Sequence, residues 1–378
     1  MSTGIDPGGN CQVGRTRVLF IAKLAIAGGA ERVFSTLMRR ISRSVFEPHL
    51  ATFSLDAYKE DIPKDLIIHQ LPGSELRWAI PRMVSLVRRV RPHVILSTLT
   101  ETNVAILLSK PFFPSATKVI VREASNPTHV MDHILPYSFA WKQAYRYLYP
   151  HADAVVCLSR SMQEDALRYM PIAADRAPII YNGVDEEFLQ SRIAGGSPFK
   201  KNGPNLIAAG RLNAEKNFSM LLAAFVFIRQ AYPEAQLTIL GTGPEEANLK
   251  RMAQERKVDD AVEFAGFQKN PFPYYRYADL YLQASIFEGL PNVLLEVLSL
   301  GTPAVATIAG GCTREIAEIA GGVTLVSEPG PKSYSEAVTR ALREGSPALR
   351  REHFIQSFGV NSMIKNYENL LERVVGQI

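Results

Sequence analysis

Apolar positions along this chain fall into two alternating textures. Short β-rich runs, RVLFIA (17–22), HVILST (93–98), KVIVRE (118–123), AVVCLS (154–159) and APIIYNGV (177–184), read as strands. Between them lie segments of helical period, 31–41 and 81–90 among them; in the first, Phe34, Leu37, Met38 and Ile41 recur at i, i+3, i+4 and i+7. A stretch rich in Gly, Ser, Pro and Lys, AGGSPFKKNGPN (194–205), interrupts the pattern. It then restarts with LIAAG (206–210), QLTILG (236–241), AVEFAG (261–266), LYLQAS (280–285) and PAVAT (303–307). The sequence thus writes an α/β pattern twice. Parallel strands need crossover helices, so each half is expected to be a doubly wound open sheet with ligand sites at the carboxyl ends of its strands, and the two halves to face each other across a cleft.

Composition narrows the class. The 378 residues suffice for about two domains, and 47% hydrophobic with 21% charged residues is a globular composition. Cys11, Cys157 and Cys312 show no zinc or disulfide spacing, which suits a reducing cytoplasm. No apolar run reaches the ~18 residues of a membrane span, and the first residues lack the apolar middle of a signal peptide. The expected location is cytoplasmic, with any membrane contact made from the side. Residues 1–180 hold 22 Lys and Arg against 15 Asp and Glu, and the remainder 20 against 22, so the first half is the basic one. Without nucleic-acid motifs, that charge points to an anionic surface or a phosphate-bearing substrate, or simply to a solvated face; nucleic acid is not an expected partner.

Candidate chemistry gathers where strands end. FIAKLAIAGGAERV places Gly28 and Gly29 between a strand and a helix, where backbone amides can meet an anion, or where they only make a tight turn. The spacing is not GxGxxG and no acidic residue ends the second strand, which disfavours a dinucleotide dehydrogenase. In AAGRLNAEKNF, Arg211 and Lys216 stand five residues apart at the mouth of the second sheet, a pair suited to a diphosphate. The segment SIFEGLPNVLLEVLSLGTPAVAT carries two glutamates. Pro291 suits a first helical turn, and Gly301 with Pro303 stops the helix, so Glu288 precedes it and Glu296 lies within it. The helix start, residues 289–293, is an anion seat. A carboxylate before it can accept from sugar hydroxyls, and one within the helix from a ribose. Glu296 could instead be an ordinary helix-face residue, but Val293, Leu294, Leu295, Val297, Leu298 and Leu300 surround it, and an unpaired ion there would be costly. It requires a partner.

In combination, GGAERV (28–33), YNGVD (181–185), GRLNAEKN, Glu288-x7-Glu296 and AGGCTREI (309–316) resemble, in order and over nearly the whole chain, the family 4 retaining glycosyltransferases of GT-B fold. The resemblance implies an α/β protein of two Rossmann-like domains facing a central cleft. The acceptor-side domain would occupy residues 1–190, a linker 191–204, the donor-side domain 205–357, and a helix crossing back to the first domain 358–378. It implies a hexosyltransferase that moves a sugar from a nucleotide-diphosphate donor, with retention and with neither metal nor cofactor; the sequence has no D-x-D. By position, Arg211 and Lys216 would stabilise the departing diphosphate, Glu288 would contact the donor sugar and Glu296 the ribose. Backbone at Gly289, Leu290, Pro291 and Asn292 would meet sugar or phosphates, Phe267 would border the base, and Gly28 and Gly29 would lie across the cleft.

Where many members place a histidine near the donor sugar, this chain reads VREASNP (121–127), the Arg-and-Glu version of members that build lipid-linked oligosaccharides. Arg122, Glu123 and Asn126 are therefore candidate sugar or acceptor contacts, with Glu123 not assigned as a base; His129 and His133 are expected at the surface. For the acceptor, the resemblance suggests a glycan or a polyprenyl-diphosphate-linked saccharide. The basic segment 77–92 (Arg77, Arg82, Arg88, Arg89, Arg91 around Met83, Val84, Val87, Val90) and YSFAWKQAYRYLYP (137–150), with Lys142 and Arg146, suit peripheral contact with an anionic membrane, unless their apolar positions are core. A sugar-nucleotide-binding protein without transferase activity, a GT-B epimerase that hydrolyses its donor, and a partner in a polysaccharide assembly remain open readings.

Overall fold

The computed structural model describes residues 14–22, 29–53, 62–71, 76–134, 138–199, 203–308 and 311–376. Twelve strands form two six-stranded sheets, and every strand pair is parallel. In the first sheet these are β1 (Thr16–Ala22), β2 (Phe46–Thr52), β3 (Ile67–Gln70), β4 (Val94–Thr98), β5 (Lys118–Arg122) and β6 (Ala154–Val156). In the second they are β7 (Asn205–Ala209), β8 (Gln236–Leu240), β9 (Val262–Gly266), β10 (Leu280–Gln283), β11 (Ala304–Thr307) and β12 (Val323–Val326). The orders are β3-β2-β1-β4-β5-β6 and β12-β11-β10-β7-β8-β9. They are one topology used twice. In each, strand order reverses between the first and fourth strands, so a crevice opens at the carboxyl ends of β1 and β4, and again at those of β7 and β10.

The central strands are largely apolar, as expected of strands covered by helices on both faces. Val18 to Ala22 and Val94 to Leu96 are fully buried. β2 differs from the sequence expectation. FEPHLAT carries Glu47, Pro48 and His49, yet pairs along its whole length with β1, Pro48 against Val18. β3 and β12 are four-residue edge strands with too little apolar run to be read from sequence. Conversely, 177–184 is not a strand. Only Ile179 bridges to Cys157, and the segment turns away to meet the C-terminal helices. The helix expected over 81–90 begins earlier, at Leu76, with Pro81 inside it.

The helix Gly29–Arg40 packs Val33, Phe34, Leu37 and Met38 on one face of the first sheet. The last helix, Val360–Val375, shares that core through Met363, Ile364, Tyr367, Leu370, Leu371 and Val374. The chain therefore crosses back from the second domain to the first. At the crossing, the Val184 amide donates to the Phe358 carbonyl (2.8 Å) and the Val360 amide to Val184 (3.0 Å). Gly183 is needed there: a Cβ would lie 2.7 Å from Val360 Cα. Arg40 holds Asp185 through both carboxylate oxygens, at 2.9 and 2.7 Å, beside the same crossing.

Leu371 is fully buried between the last helix and the first sheet. Leu371→Ala should therefore destabilise the first domain by about 2–5 kcal/mol. Urea unfolding followed by a probe in that domain checks this; an unchanged midpoint would mean that the crossing helix does not contribute to the core.

Candidate active site

At the crevice of the second sheet, two loops meet. After β7 the chain passes Gly210 and an exposed Arg211, is anchored by buried Leu212, and forms a short 3-10 turn, Ala214–Lys216. Asn213 caps that turn, accepting from the Lys216 amide at 3.4 Å. After β10 the chain runs through Ser285 to Glu288. The Ile286 amide donates to the Glu215 carbonyl (2.8 Å), which ties the loops together. Lys216 Nζ then reaches Glu288 Oε1 at 2.5 Å, and Ser285 Oγ donates to the same oxygen at 2.7 Å. Cys312 Sγ donates to the Glu288 carbonyl (3.2 Å), so both ends of this residue are held. The side chain of Arg211, on the loop that carries Lys216, makes no hydrogen bond or ion pair among the described residues, while its carbonyl accepts from the Asn213 amide (2.8 Å).

The helix Asn292–Ser299 starts beside these cations, with Pro291 before it in an extended conformation and no side chain capping its first turn. A helix start whose first amides have no side-chain cap has the chemistry of an anion seat. Gly289 is set by a close approach: a Cβ there would lie 2.1 Å from the carbonyl oxygen of Ala124, in the opposite domain. Leu290 and Pro291 are buried. Asn292 Oδ1 accepts from Asn182 Nδ2 (2.8 Å), and Asn182 Oδ1 accepts from Arg122 (2.7 Å). Glu296 is only 7% exposed, and burial raises its pKa above the ordinary carboxylate value. Arg32 Nη1 meets its Oε1 at 2.7 Å.

The structure thus brings together Lys216, Glu288, Gly289, Asn292 and Glu296, with Arg211 on the adjoining loop. Phe267 follows β9 and is strongly exposed. Gly29 opens the helix that carries Arg32; Gly28 lies outside the described residues. Two candidates turn inward. Arg122 is fully buried, donating to Thr98 Oγ1 (3.0 Å) and Asn182, with Phe34 beneath its guanidinium. Glu123 is fully buried too. It accepts from Thr100 (3.1 Å), Asn103 (3.1 Å), Tyr145 (3.4 Å) and Tyr149, while burial raises its pKa. Neither side chain is exposed: Arg122 lies over Phe34 of the helix Gly29–Arg40, and Glu123 is enclosed by Thr100 and Asn103 of the helix Thr100–Ser109 together with Tyr145 and Tyr149. Asn126 is nearly buried, and its Oδ1 makes no hydrogen bond among the described residues.

His129 corrects an expectation. Rather than lying at the surface, it stacks on Phe287 of the other domain, with centroids 3.6 Å apart and planes 8° apart, and its Nε2 lies 3.4 Å from Glu215. The side chain of His133 lies outside the description. Residues that sequence reasoning left without a role also close the cleft. Glu315 accepts from the Arg160 amide (2.9 Å) and from the Tyr181 hydroxyl (2.5 Å). Arg32, Tyr181, Asn182 and Glu315 all sit inside motifs quoted above; the signal that could have found Arg32 was the buried charge of Glu296.

The model for Glycosyltransferase Family 4 matches residues 27–188, and that for Glycosyl transferases group 1 matches residues 190–357. The chain belongs to this glycosyltransferase family. An N-acetylgalactosamine-N,N'-diacetylbacillosaminyl-diphospho-undecaprenol 4-alpha-N-acetylgalactosaminyltransferase of Campylobacter jejuni is 27% identical over 79% of this chain and 82% of its own length. An uncharacterized glycosyltransferase of Methanocaldococcus jannaschii is 27% identical over 75% and 72%. Among solved structures, Anabaena HepE in complex with UDP superposes with a TM-score of 0.75 at 15% identity, covering 95% of this chain and 100% of that one. The fold is GT-B, and this glycosyltransferase is an enzyme of the hexosyltransferase class.

The contact between Gly289 and Ala124 leaves no room for a side chain. Gly289→Ala should force the two domains apart, lowering turnover at least tenfold with thermal unfolding little changed. Steady-state kinetics and a melt on the same preparation check this; normal turnover would show that the contact does not belong to the active geometry.

Proposed function

We propose that this glycosyltransferase retains anomeric configuration, needs no metal, and moves a sugar from a UDP-sugar to a glycan or polyprenyl-diphosphate-linked saccharide. The reading is carried by the convergence, at the second sheet's crevice, of Arg211, Lys216 and an uncapped helix start. These three sources of positive potential suit the place where a diphosphate gains charge as it leaves. Two side-chain cations and a helix terminus can do the work that a divalent ion does elsewhere. In the step proposed, the bond from the anomeric carbon to the phosphate oxygen breaks. The acceptor oxygen bonds to the same face, and its proton passes to the departing phosphate. Glu123, enclosed by its four donors, is not in reach to act as nucleophile. Glu288 would meet the donor sugar, and Glu296 the ribose.

UDP as the nucleotide is supported by the UDP-bound structural relative, and a lipid-linked acceptor by the name of the Campylobacter relative. Among the described residues no helix is long and apolar enough to cross a membrane. Met83, Val87 and Val90 are core, so the Leu76–Val90 helix would offer only its arginines to a lipid surface. Phe112, whose carbonyl accepts from Arg88 of that helix (2.9 Å), is exposed, as are Phe139 and Tyr147 on the helix Ser138–Tyr147, with Arg146 over Tyr147. A basic surface bearing aromatics suits peripheral contact with anionic lipid.

The test is release of UDP from a panel of UDP-sugars in excess EDTA, with and without a polyprenyl-diphosphate-linked saccharide. Release should require the acceptor and persist in EDTA. Arg211→Ala should lower kcat by roughly tenfold to a hundredfold, the value of a charge-assisted hydrogen bond made in the transition state. A strict Mg²⁺ or Mn²⁺ requirement, or acceptor-independent release, would overturn the proposal.

A further inference from the structure

Among the described residues, Glu296 has one counter-charge, and it comes from the other domain. Leu294, Leu295, Val297 and Leu298, its neighbours in the helix, are all buried, so nothing on its own element balances the carboxylate. Beneath it lie Tyr275 and Tyr281, phenols that burial keeps protonated. At the far end of the same helix Arg351 donates to the Ser299 carbonyl (2.8 Å) and pairs with Glu186. Among the described residues Arg32 alone reaches the carboxylate, at Oε1. Its helix, Gly29–Arg40, begins just after β1, so the ion pair joins the crevice of the first sheet to that of the second. Arg32 is itself 46% exposed in its side chain and lies against the Phe272 ring, 5.9 Å from its centroid.

We propose that Arg32 is a positioning residue: from the acceptor-side domain it keeps Glu296 ionised and turned so that the second carboxylate oxygen can take a nucleotide's ribose hydroxyl. The inference rests on the ribose reading of Glu296 given above. Its consequence is that the ribose seat is complete only when the domains are closed. Separation would take from Glu296 the counter-charge that holds it, and with it the orientation in which its second oxygen can accept a hydroxyl. By linkage, nucleotide binding then favours closure by the factor by which closure favours the nucleotide. Burial and Arg32 oppose each other at Glu296: burial raises its pKa, and Arg32 lowers it. Without Arg32 only the raising effect remains.

The experiment measures binding of UDP, GDP and ADP, all of which carry the ribose, from pH 5 to 8.5, with donor KM and kcat at neutral pH. For the nucleotide that binds, Glu296→Gln should raise Kd roughly tenfold and flatten its dependence on this carboxyl. Arg32→Gln should raise Kd by a similar factor, with the KM rising more than kcat falls, and should move the pH at which affinity is lost upward. Arg32→Lys should restore most of the affinity and the original pH profile, and the Arg32→Gln/Glu296→Gln double variant should be no worse than either single one. Normal nucleotide affinity in Glu296→Gln, or no binding of any of the three nucleotides, would sink the ribose reading. A weakened Glu296→Gln together with an Arg32→Gln variant that binds normally, keeps its pH profile, or adds its loss fully to that of Glu296→Gln, would overturn the role of Arg32 alone.

Discussion

An ionised carboxylate inside an apolar helix needs a counter-charge, and Glu296 draws its own from the opposite domain. The Arg32–Glu296 contact spans 264 residues of sequence and closes the two crevices onto each other. Much of the cleft follows from it. With those elements together, the Ala124 carbonyl meets Gly289, His129 stacks on Phe287, and Asn182 reaches Asn292 at the start of the Glu296 helix. Glu315, at the N-terminus of the helix Arg160–Tyr169, adds a further bridge from the second domain to the first. The active geometry therefore belongs to neither domain alone.

The arrangement divides labour by chemistry. The second sheet supplies cations and an uncapped helix start, and the first supplies the wall against which the Gly289 loop is pressed. Arg122 stands behind that wall as a buried cation that donates to the neutral side chains of Thr98 and Asn182. Its donation to Asn182 strengthens the chain of hydrogen bonds that ends on Asn292. Glu123, turned the other way, fastens the same strand end to Tyr145 and Tyr149. Consecutive residues of a strand face opposite sides, which is why one motif serves both purposes.

The fold was legible because a buried parallel strand is a continuous apolar run and a crossover helix is a periodic one. The central strands of both sheets were found within a residue or two at most ends. β2 escaped because Glu47, Pro48 and His49 break its run while its backbone still pairs fully with β1, and β3 and β12 because edge strands of four residues carry little signal. The run 177–184 is apolar because it is buried at the domain crossing, not because it joins a sheet. At the site, Arg211, Lys216, Glu288 and Glu296 were visible as charge placed against local pattern. What sequence could not give was partnership: that Glu296 needs a cation follows from its neighbours, but that the cation is Arg32 depends on how two distant crevices are turned towards each other. Glu123 shows the converse, since a motif position does not tell which face of the strand its side chain takes.

We propose that a nucleotide-sugar donor sits in the second sheet's crevice with the first domain completing its seat, and a crystal structure of the protein with bound UDP can decide this. The diphosphate should lie within hydrogen-bond distance of Arg211, Lys216 and the first amides of the Asn292–Ser299 helix, and the ribose on Glu296 with Arg32 still at its Oε1. A nucleotide seated at the carboxyl ends of the first sheet, or one whose phosphates touch neither cation, would contradict it.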